Sequence, residues 1–277
     1  MPRMKTLLSG FLLTAMPFLA LAGCATTPEP EEAPKGKVDQ LGEIRQKLSA
    51  DPKNPDLHFE YGNLLFDLGN YAEASKAYER AIENRPGFAK AYTNLGVVLQ
   101  RLGNHKAAVG AFETALDSDA GDVRAIDGLM VSAKENGDLA RVLDAARRRA
   151  EAEPDKADVV AGYAALLLQY EYYPEAAEAY RRVIALDPSF PGDHYNLGLC
   201  HYQMQQLDEA EAAWSEAVRI NPDFAEANRG LAVLAYDRGD YDAAWEQVRN
   251  CIQRGIAVEA AFLKALEAAV PVFQESP

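Results

Sequence analysis

The sequence lacks the short motifs of the common catalytic and metal-binding sites. It has no CxxC pair among its three cysteines, no HExxH, no GxSxG and no GxxxxGK[ST]. Those patterns place a zinc ion, a nucleophilic serine or a phosphate-binding loop. Their absence removes the sequence support for an enzyme, and we predict no catalytic residues, no metal, no cofactor and no small-molecule substrate.

Basic residues are too few for a protein that binds nucleic acid. The 28 Lys and Arg residues are outnumbered by 42 Asp and Glu residues, which gives a formal net charge of −14 at pH 7. Binding to phosphate backbones needs clustered Lys and Arg. We therefore exclude nucleic acid as a partner and interpret the acidic residues as a solubilising surface.

The apolar run from Leu7 to Ala20 is too short to span a membrane as a helix. It follows a basic start at Arg3 and Lys5 and precedes the small residues Ala22 and Gly23. This order is typical of an export signal, which we predict over residues 1–23.

The residues Leu21-Ala22-Gly23-Cys24 resemble the lipobox of bacterial lipoproteins. The resemblance implies that Cys24 carries diacylglycerol and becomes the acylated N-terminus, which anchors the chain to a membrane. Ala25, rather than aspartate, follows Cys24, and by resemblance to sorted lipoproteins this implies the outer membrane. An ordinary signal with a chance cysteine is the alternative. Residues 24–37 are rich in proline and glutamate and predict an extended tether after the lipidated cysteine.

Glycine, alanine and aromatic residues recur with a period of 34 residues between residues 55 and 258. Small residues dominate the eighth place of the unit, which is filled by Gly62, Gly96, Met130, Ala164, Gly198 and Ala232. Aromatic rings dominate the twenty-fourth place, which is filled by Tyr78, Phe112, Ala146, Tyr180, Trp214 and Val248. The helical spacing on both sides of a turn at residues 67–70 predicts a helix-turn-helix hairpin. Because one hairpin leaves its apolar face uncovered, the copies must stack.

This pattern resembles the tetratricopeptide repeat family. The resemblance implies an all-α, right-handed superhelical solenoid of six repeats with a capping helix at each end. The predicted repeats are 55–88, 89–122, 123–156, 157–190, 191–224 and 225–258, with caps at 38–54 and, including a short tail, at 259–277. Residues 123–156 depart most from the pattern, for example at Val142, Ala146 and Arg149, and we expect this repeat to be the softest.

The resemblance also implies that the first helix of each repeat lines a concave groove. We predict that a partner is bound in this groove by Phe59, Asn63, Phe66, Leu168, Tyr195, Leu199, Tyr202 and Tyr236. These side chains are expected to face solvent in the unbound protein, since an aromatic cluster not needed by the hairpin is typical of an interface. The alternative is that they pack against the neighbouring repeat. A second, basic patch is predicted at Lys90, Arg101 and Arg124.

Some family members clamp a terminal carboxylate with Lys, Asn and Arg side chains in this groove. Asn63, Asn94 and Arg124 match such a clamp in type or charge. Phe59 and Gly128, however, stand where a Lys and an Arg belong. The clamp is incomplete, and we do not predict binding of a chaperone tail.

The remaining cysteines and the histidines of the first helices are interpreted as structural. Cys200 and Cys251 are predicted to be buried thiols, with a disulfide as the alternative. His58, His194 and His201 lie at packing positions of the repeat.

These observations favour a lipid-anchored scaffold on the periplasmic face of the outer membrane that binds a protein of the cell envelope. Six repeats on a lipoprotein resemble the pilotin-type lipoproteins that assist the type IV pilus, which implies a secretin subunit as partner. An adaptor for peptidoglycan enzymes or for a gliding-motility complex is the alternative. An enzyme or a sugar-binding module using the groove would need paired carboxylates or a ligand cluster, and the sequence shows neither.

Overall fold

The computed structural model describes residues 35–269, in which all regular structure is helical. The predicted export signal, Cys24, most of the tether and the tail after Ala269 lie outside the described residues. The fourteen helices within them are α1 Lys35–Ala50, α2 Pro55–Asp67, α3 Tyr71–Asn84, α4 Ala89–Arg101, α5 His105–Ser118, α6 Val123–Glu135, α7 Leu139–Ala152, α8 Ala157–Gln169, α9 Tyr173–Leu186, α10 Pro191–Gln203, α11 Leu207–Ile220, α12 Ala225–Asp237, α13 Tyr241–Gln253 and α14 Ala260–Ala269. The all-α class is confirmed.

The helices fall into two compact units, one over residues 32–188 and the other within residues 189–277. In the first unit, α1 is followed by four helix pairs, α2 with α3, α4 with α5, α6 with α7 and α8 with α9. In the second unit, α10 pairs with α11 and α12 with α13, and α14 follows. Each pair is a hairpin of the kind that the 34-residue period predicts.

The turn inside each hairpin places its third residue in the left-handed region. Gly69 has φ of 75°, and its N–H donates to the Phe66 carbonyl at 2.9 Å, which satisfies a free carbonyl at the end of α2. Glu171 and Gln205 take the same place in two later hairpins, with φ of 65° and 62°. A residue with a Cβ atom has a higher conformational free energy there than glycine, so these turns depend on the packing around them.

Close packing between hairpins is achieved by an aromatic ring that lies against glycines. The ring of Phe112 on α5 lies against Gly96 on α4 and Gly128 on α6. A Cβ atom added to Gly96 would lie 2.6 Å from this ring, and one added to Gly128 would lie 2.3 Å from it. These two positions must therefore be glycine as long as Phe112 keeps its place.

The third hairpin lacks this ring. Ala146 stands on α7 at the place that Phe112 has on α5. Gly162, the counterpart of Gly128 on α8, has no atom within 4 Å of an added Cβ. The ion pair between Arg149 and Asp127, at 2.9 Å, lies near the surface and contributes little stability. The missing ring on α7 supplies a physical reason for the predicted softness of residues 123–156.

The helices α1 and α14 cover the outermost hairpins of their units. α1 begins at Lys35, so the prediction that the tether continues to residue 37 is wrong. Lys37 donates to the Asp67 carboxylate at 2.7 Å and holds the first turn of α1 on α2. Ile44 is buried, while Val38 is 50% exposed. On α14, Phe262 and Leu266 are buried in a cluster with residues of α12 and α13.

Cys200 and Cys251 are buried thiols outside any disulfide, as predicted. Burial raises the pKa of the Cys251 thiol and keeps it protonated. His58 donates from Nε2 to the Pro52 carbonyl at 2.9 Å, and the buried His201 is hydrogen-bonded through Nδ1 to Gln206 at 2.6 Å. These two histidines therefore have structural roles, as predicted. Between residues 35 and 269 no three His, Cys, Asp or Glu residues are grouped as metal ligands, and none of the helices has the length and apolarity needed to cross a membrane.

Candidate functional site

A concave pocket of about 370 Å³ lies on the first helices of the first unit, and we call it the inner pocket. It is lined by Phe59, Asn63, Phe66, Asp67, Tyr78, Asn94, Val97 and Arg124. Four of these residues, on α2 and α6, belong to the predicted binding set and the predicted basic patch. They lie together because the first helices α2, α4 and α6 pack one beside the next.

A chain of hydrogen bonds crosses the inner pocket. The Tyr78 hydroxyl and the Asn94 side-chain nitrogen each donate to Asn63 Oδ1 at 2.8 Å. Arg124 donates from Nη2 to Asn94 Oδ1 at 3.3 Å. Burial raises the pKa of Tyr78 to about 12, so this hydroxyl remains a neutral donor. The Asn63 oxygen is used inside the protein, and its amide nitrogen has no hydrogen-bond partner among the described residues.

The inner pocket contains one cation that is not balanced by an ion pair. Asp67 is paired with Lys37 at 2.7 Å, outside the network. Arg124 is exposed and forms no ion pair within the part of the chain that the structure describes. The pocket thus offers an amide donor and a guanidinium to a ligand, which are the groups that recognise carbonyl and carboxylate oxygens.

An aromatic wall connects the inner pocket to a neighbouring depression. Phe59 packs with its ring centre 5.8 Å from that of Tyr78 and 5.0 Å from that of Phe88. The second depression, of about 530 Å³, shares Phe59 and is lined by Asp56, Phe59, Glu60, Arg85, Gly87, Phe88, Ala89, Lys90 and Asp119. Together the two depressions offer a ligand apolar surface as well as charge.

The predicted basic patch is not gathered in one place. Lys90 lines the second depression and Arg124 lines the inner pocket. Arg101 is exposed and lines neither of them. The three side chains therefore contribute to separate environments.

The structure also explains why the carboxylate clamp is incomplete. Gly128, which stands where the clamp has an Arg, lies against the Phe112 ring and has no room for a side chain. Phe59, which stands where the clamp has a Lys, belongs to the aromatic wall with Tyr78 and Phe88. Both departures follow from packing.

The expectation that the later groove residues face solvent is wrong for Leu168, Leu199 and Tyr202. In the first unit Leu168 is 9% exposed; in the second unit Leu199 is 3% exposed and Tyr202 is 9% exposed. The Tyr202 ring lies 5.5 Å from that of Trp214, and its hydroxyl donates to Asp237 on α12. These side chains are part of the repeat core, as the alternative held.

Tyr195 and Tyr236 are half-buried and contact other rings. Tyr195 stacks on Trp214 at 6.2 Å, and its carbonyl accepts a hydrogen bond from the Trp214 Nε1–H at 3.0 Å. Tyr236 packs against Tyr241 at 5.5 Å and Phe262 at 5.7 Å. Only part of each ring is left for a partner, and their role in binding stays a prediction.

Sequence reasoning did not assign four residues of the inner pocket to a binding site, namely Asp67, Tyr78, Asn94 and Val97. Val97 occupies the same place in its repeat as Asn63, so the repeat register could have identified it. The Tyr78 hydroxyl orients Asn63, a role that the place of its ring in the repeat does not reveal. No pattern in the sequence distinguishes this tyrosine from the phenylalanine at the equivalent place of the next repeat.

Three segments of the chain match family models. Residues 46–123 and 194–224 each match a model described as tetratricopeptide repeat, and residues 169–205 match one described as TPR repeat. The chain carries tetratricopeptide repeats. None of the three segments includes residues 124–168, where the repeat pattern is weakest.

Curated proteins resemble this tetratricopeptide repeat chain over short segments. It is 26% identical over 105 residues to the CTR9 homologue of Arabidopsis thaliana. The matched segment covers 38% of this chain and 10% of that protein. It is 42% identical over 69 residues to Hsp70-Hsp90 organizing protein 1 of Glycine max, which covers 25% of this chain and 11% of that protein. The matched segments thus span about a tenth of each relative, and they reflect the shared repeat.

Solved structures of tetratricopeptide repeat proteins share the fold. YrrB, described as a TPR protein with an unusual peptide-binding site, is 20% identical with a TM-score of 0.50, over 66% of this chain and 95% of its own. The C-terminal part of a TPR protein from Cytophaga hutchinsonii is 14% identical with a TM-score of 0.50, over 86% of this chain and 95% of its own. At these identities the likeness concerns the fold alone.

Proposed function

We propose that this chain is a protein-interaction scaffold that holds an extended segment of a partner protein in the inner pocket. Tetratricopeptide repeat proteins mediate protein–protein interactions and are generally not enzymes. The observation that carries the proposal is the hydrogen-bonded network of the inner pocket. It fixes Asn63 through its oxygen and leaves its amide nitrogen available beside the unpaired Arg124.

The chemistry of the inner pocket favours a particular kind of segment. The Asn63 amide suits a backbone carbonyl, because a fixed side-chain amide can bind any extended peptide without reading its sequence. Arg124 suits an acidic side chain or a terminal carboxylate of the partner. Phe59 and Phe66 suit an apolar residue next to that acid.

Photo-cross-linking tests this proposal. A photoreactive phenylalanine in place of Phe66 should cross-link a partner in intact cells, and the same residue in place of Lys106 on α5 should not. Adding Arg124→Glu should weaken the cross-link by more than tenfold, since loss of an interfacial hot spot commonly costs about 2 kcal/mol. Lys106→Glu is the matched control, because it makes the same charge change at an exposed residue that does not line the inner pocket.

Equal cross-linking from positions 66 and 106, or a signal that Arg124→Glu leaves unchanged, would place the partner elsewhere. When a partner is captured, its mass identifies the cell-envelope complex to which it belongs. A secretin subunit supports pilus assembly, whereas a murein hydrolase or a gliding component supports an adaptor.

The cellular setting is a further part of the proposal. We infer that the chain is anchored through Cys24 to the outer membrane, faces the periplasm and assists assembly of the type IV pilus secretin. The support comes from the sequence alone, from Leu21 to Ala25 and from the acidic, proline-rich residues that follow. Lipidation gives an anchor worth about 0.8 kcal/mol for each buried methylene, so two or three acyl chains hold a protein permanently.

Cys24→Ser is expected to abolish acylation and to release the protein from the membrane pellet. The measurements are fractionation of the cell envelope and incorporation of labelled fatty acid, with Cys251→Ser as the control for loss of a cysteine. A Cys24→Ser protein that still incorporates fatty acid and sediments with outer membranes would contradict the lipid anchor.

A further inference from the structure

A third pocket in the first unit has more cationic than anionic side chains in its lining, and we call it the basic pocket. It has a volume of about 520 Å³ and is lined by Arg45, Leu48, Ser49, Pro52, His58, Tyr61, Glu73, Lys76, Ala77 and Arg80. The lining comes from α1, α2, α3 and the turn after α1. It contains three cationic side chains and one carboxylate, in a protein whose formal net charge is −14.

The cations of the basic pocket are not used for ion pairs inside the described chain. Arg45 donates from Nε to the Tyr61 hydroxyl at 2.9 Å and lies 5.7 Å from the centre of the Tyr61 ring, but contacts no carboxylate. Lys76 and Arg80 form no ion pair with any residue between 35 and 269. Most of the other arginines between residues 35 and 269 are paired, as Arg85 is with Asp56 at 2.6 Å.

The arrangement places three positive charges around a single carboxylate, Glu73, which forms no ion pair with them among the described residues. Lys76 and Arg80 lie four residues apart on α3, where side chains share one face and like charges repel. Arg45 adds a third positive charge from α1. A bound anion would remove this repulsion, and the pocket is open to solvent at these three exposed residues.

The basic pocket can also bind an anion through hydrogen bonds. The Tyr61 oxygen accepts from Arg45, so its own proton remains available for donation to a ligand. Arginine offers a planar fork that matches phosphate oxygens, and lysine offers a compact charge beside it. The apolar side chains of Leu48, Pro52 and Ala77 complete the lining, and the volume is in the range of small-ligand sites.

We propose that the basic pocket binds a phosphate group. The same chemistry is present in the headgroup of an anionic phospholipid and in a soluble phosphate compound. The proposal does not depend on the inner pocket or on partner binding. The headgroup source has a particular consequence if Cys24 is acylated, because it would hold the first unit against the membrane surface.

The first test uses inorganic phosphate and backbone amide chemical shifts recorded by NMR at constant ionic strength. Phosphate is expected to shift the amide signals around Arg45, Tyr61 and Lys76 with a saturable curve that chloride does not reproduce. The double variant Lys76→Gln, Arg80→Gln should weaken this binding by at least tenfold. The control Lys106→Gln, Lys264→Gln removes the same charge from exposed residues outside the basic pocket and should stay within twofold of the original protein.

The second test distinguishes the two sources with vesicles. The Cys24→Ser protein, which lacks the proposed anchor, is sedimented with phosphatidylethanolamine vesicles with or without phosphatidylglycerol. A net charge of −14 disfavours general attraction to an anionic surface, so cosedimentation would report on the pocket. Binding that needs phosphatidylglycerol and is lost only in the pocket variant assigns the headgroup, while phosphate binding without cosedimentation assigns a soluble compound.

Two results would overturn the proposal. One is an absence of any phosphate-dependent shift at the basic pocket. The other is an equal response of the pocket variant and the control variant to both phosphate and vesicles. Because all four substituted residues are exposed, unchanged helical circular dichroism is expected for both variants and shows that each remains folded.

Discussion

Gly128→Ala is expected to lower the free energy of unfolding by about 2 kcal/mol, whereas Gly162→Ala should raise it by up to about 1 kcal/mol. Both glycines lie inside first helices at the same place of their repeats. An added methyl at 128 would be 2.3 Å from the Phe112 ring, so ring or backbone must move. An added methyl at 162 meets nothing within 4 Å and gains only the better helix propensity of alanine.

Urea unfolding followed by circular dichroism measures this difference. The pair is well matched because the substitution, the helix position and the change in propensity are the same. Phe112→Ala provides a further control, since removing the ring should make Gly128→Ala far less harmful in the double variant. Similar effects of Gly128→Ala and Gly162→Ala would show that the ring does not need its glycine neighbour.

Tyr202→Ala is expected to lower the free energy of unfolding by about 3 kcal/mol. The ring is 9% exposed and packs 5.5 Å from the Trp214 ring, so truncation leaves a cavity in the core of the second unit. Tyr202→Phe keeps the ring and removes only the hydrogen bond to Asp237, which should cost about 1 kcal/mol. The same unfolding measurement separates the two variants.

If Tyr202 faced solvent, as the sequence predicts, its truncation would cost little stability. If the Tyr202→Ala variant lost its partner, the loss would reflect unfolding rather than the removal of a binding contact. Tyr202→Phe is the informative variant for binding, because it keeps the core intact. A Tyr202→Ala protein as stable as the original would restore the solvent-facing interpretation.

The hairpins could be predicted from the sequence because their determinants are local. The spacing of Gly62, Tyr78 and their counterparts fixes two helices, and Gly69 fixes the turn between them. The same register groups Phe59, Asn63 and Phe66 on one helix, and all three line the inner pocket. Local order carries this information, since each repeat contacts mainly its neighbours.

The burial of individual groove residues could not be predicted in this way. Leu199 and Asn63 occupy equivalent places, yet only Leu199 is buried. The difference arises from tertiary packing, since in the second unit the large Trp214 ring packs against Tyr202, which is buried, and against Tyr195, which is half-buried. The repeat register gives the position of each side chain in its own hairpin. It does not show which side chains of neighbouring hairpins come into contact.

The basic pocket was missed for a different reason. Lys76 and Arg80 lie on α3, the second helix of the first hairpin. In the sequence its polar face is typical of an ordinary solvent-exposed surface. They become a site only because α1 brings Arg45 towards Tyr61. Basic residues that are separated in the sequence form one pocket only when three helices bring them together.

Cys200 and Cys251 are both buried in the second unit, so their reactivity depends on the opening of that unit. Cys200 on α10 and Cys251 on α13 are shielded while the hairpins are closed, and thiol reagents reach them only when these helices open. In an unfolded chain both thiols are exposed, and an oxidant would join them in a disulfide that the folded unit does not contain. The rate at which thiol reagents label these residues thus measures how often the second unit opens and exposes both thiols to oxidation.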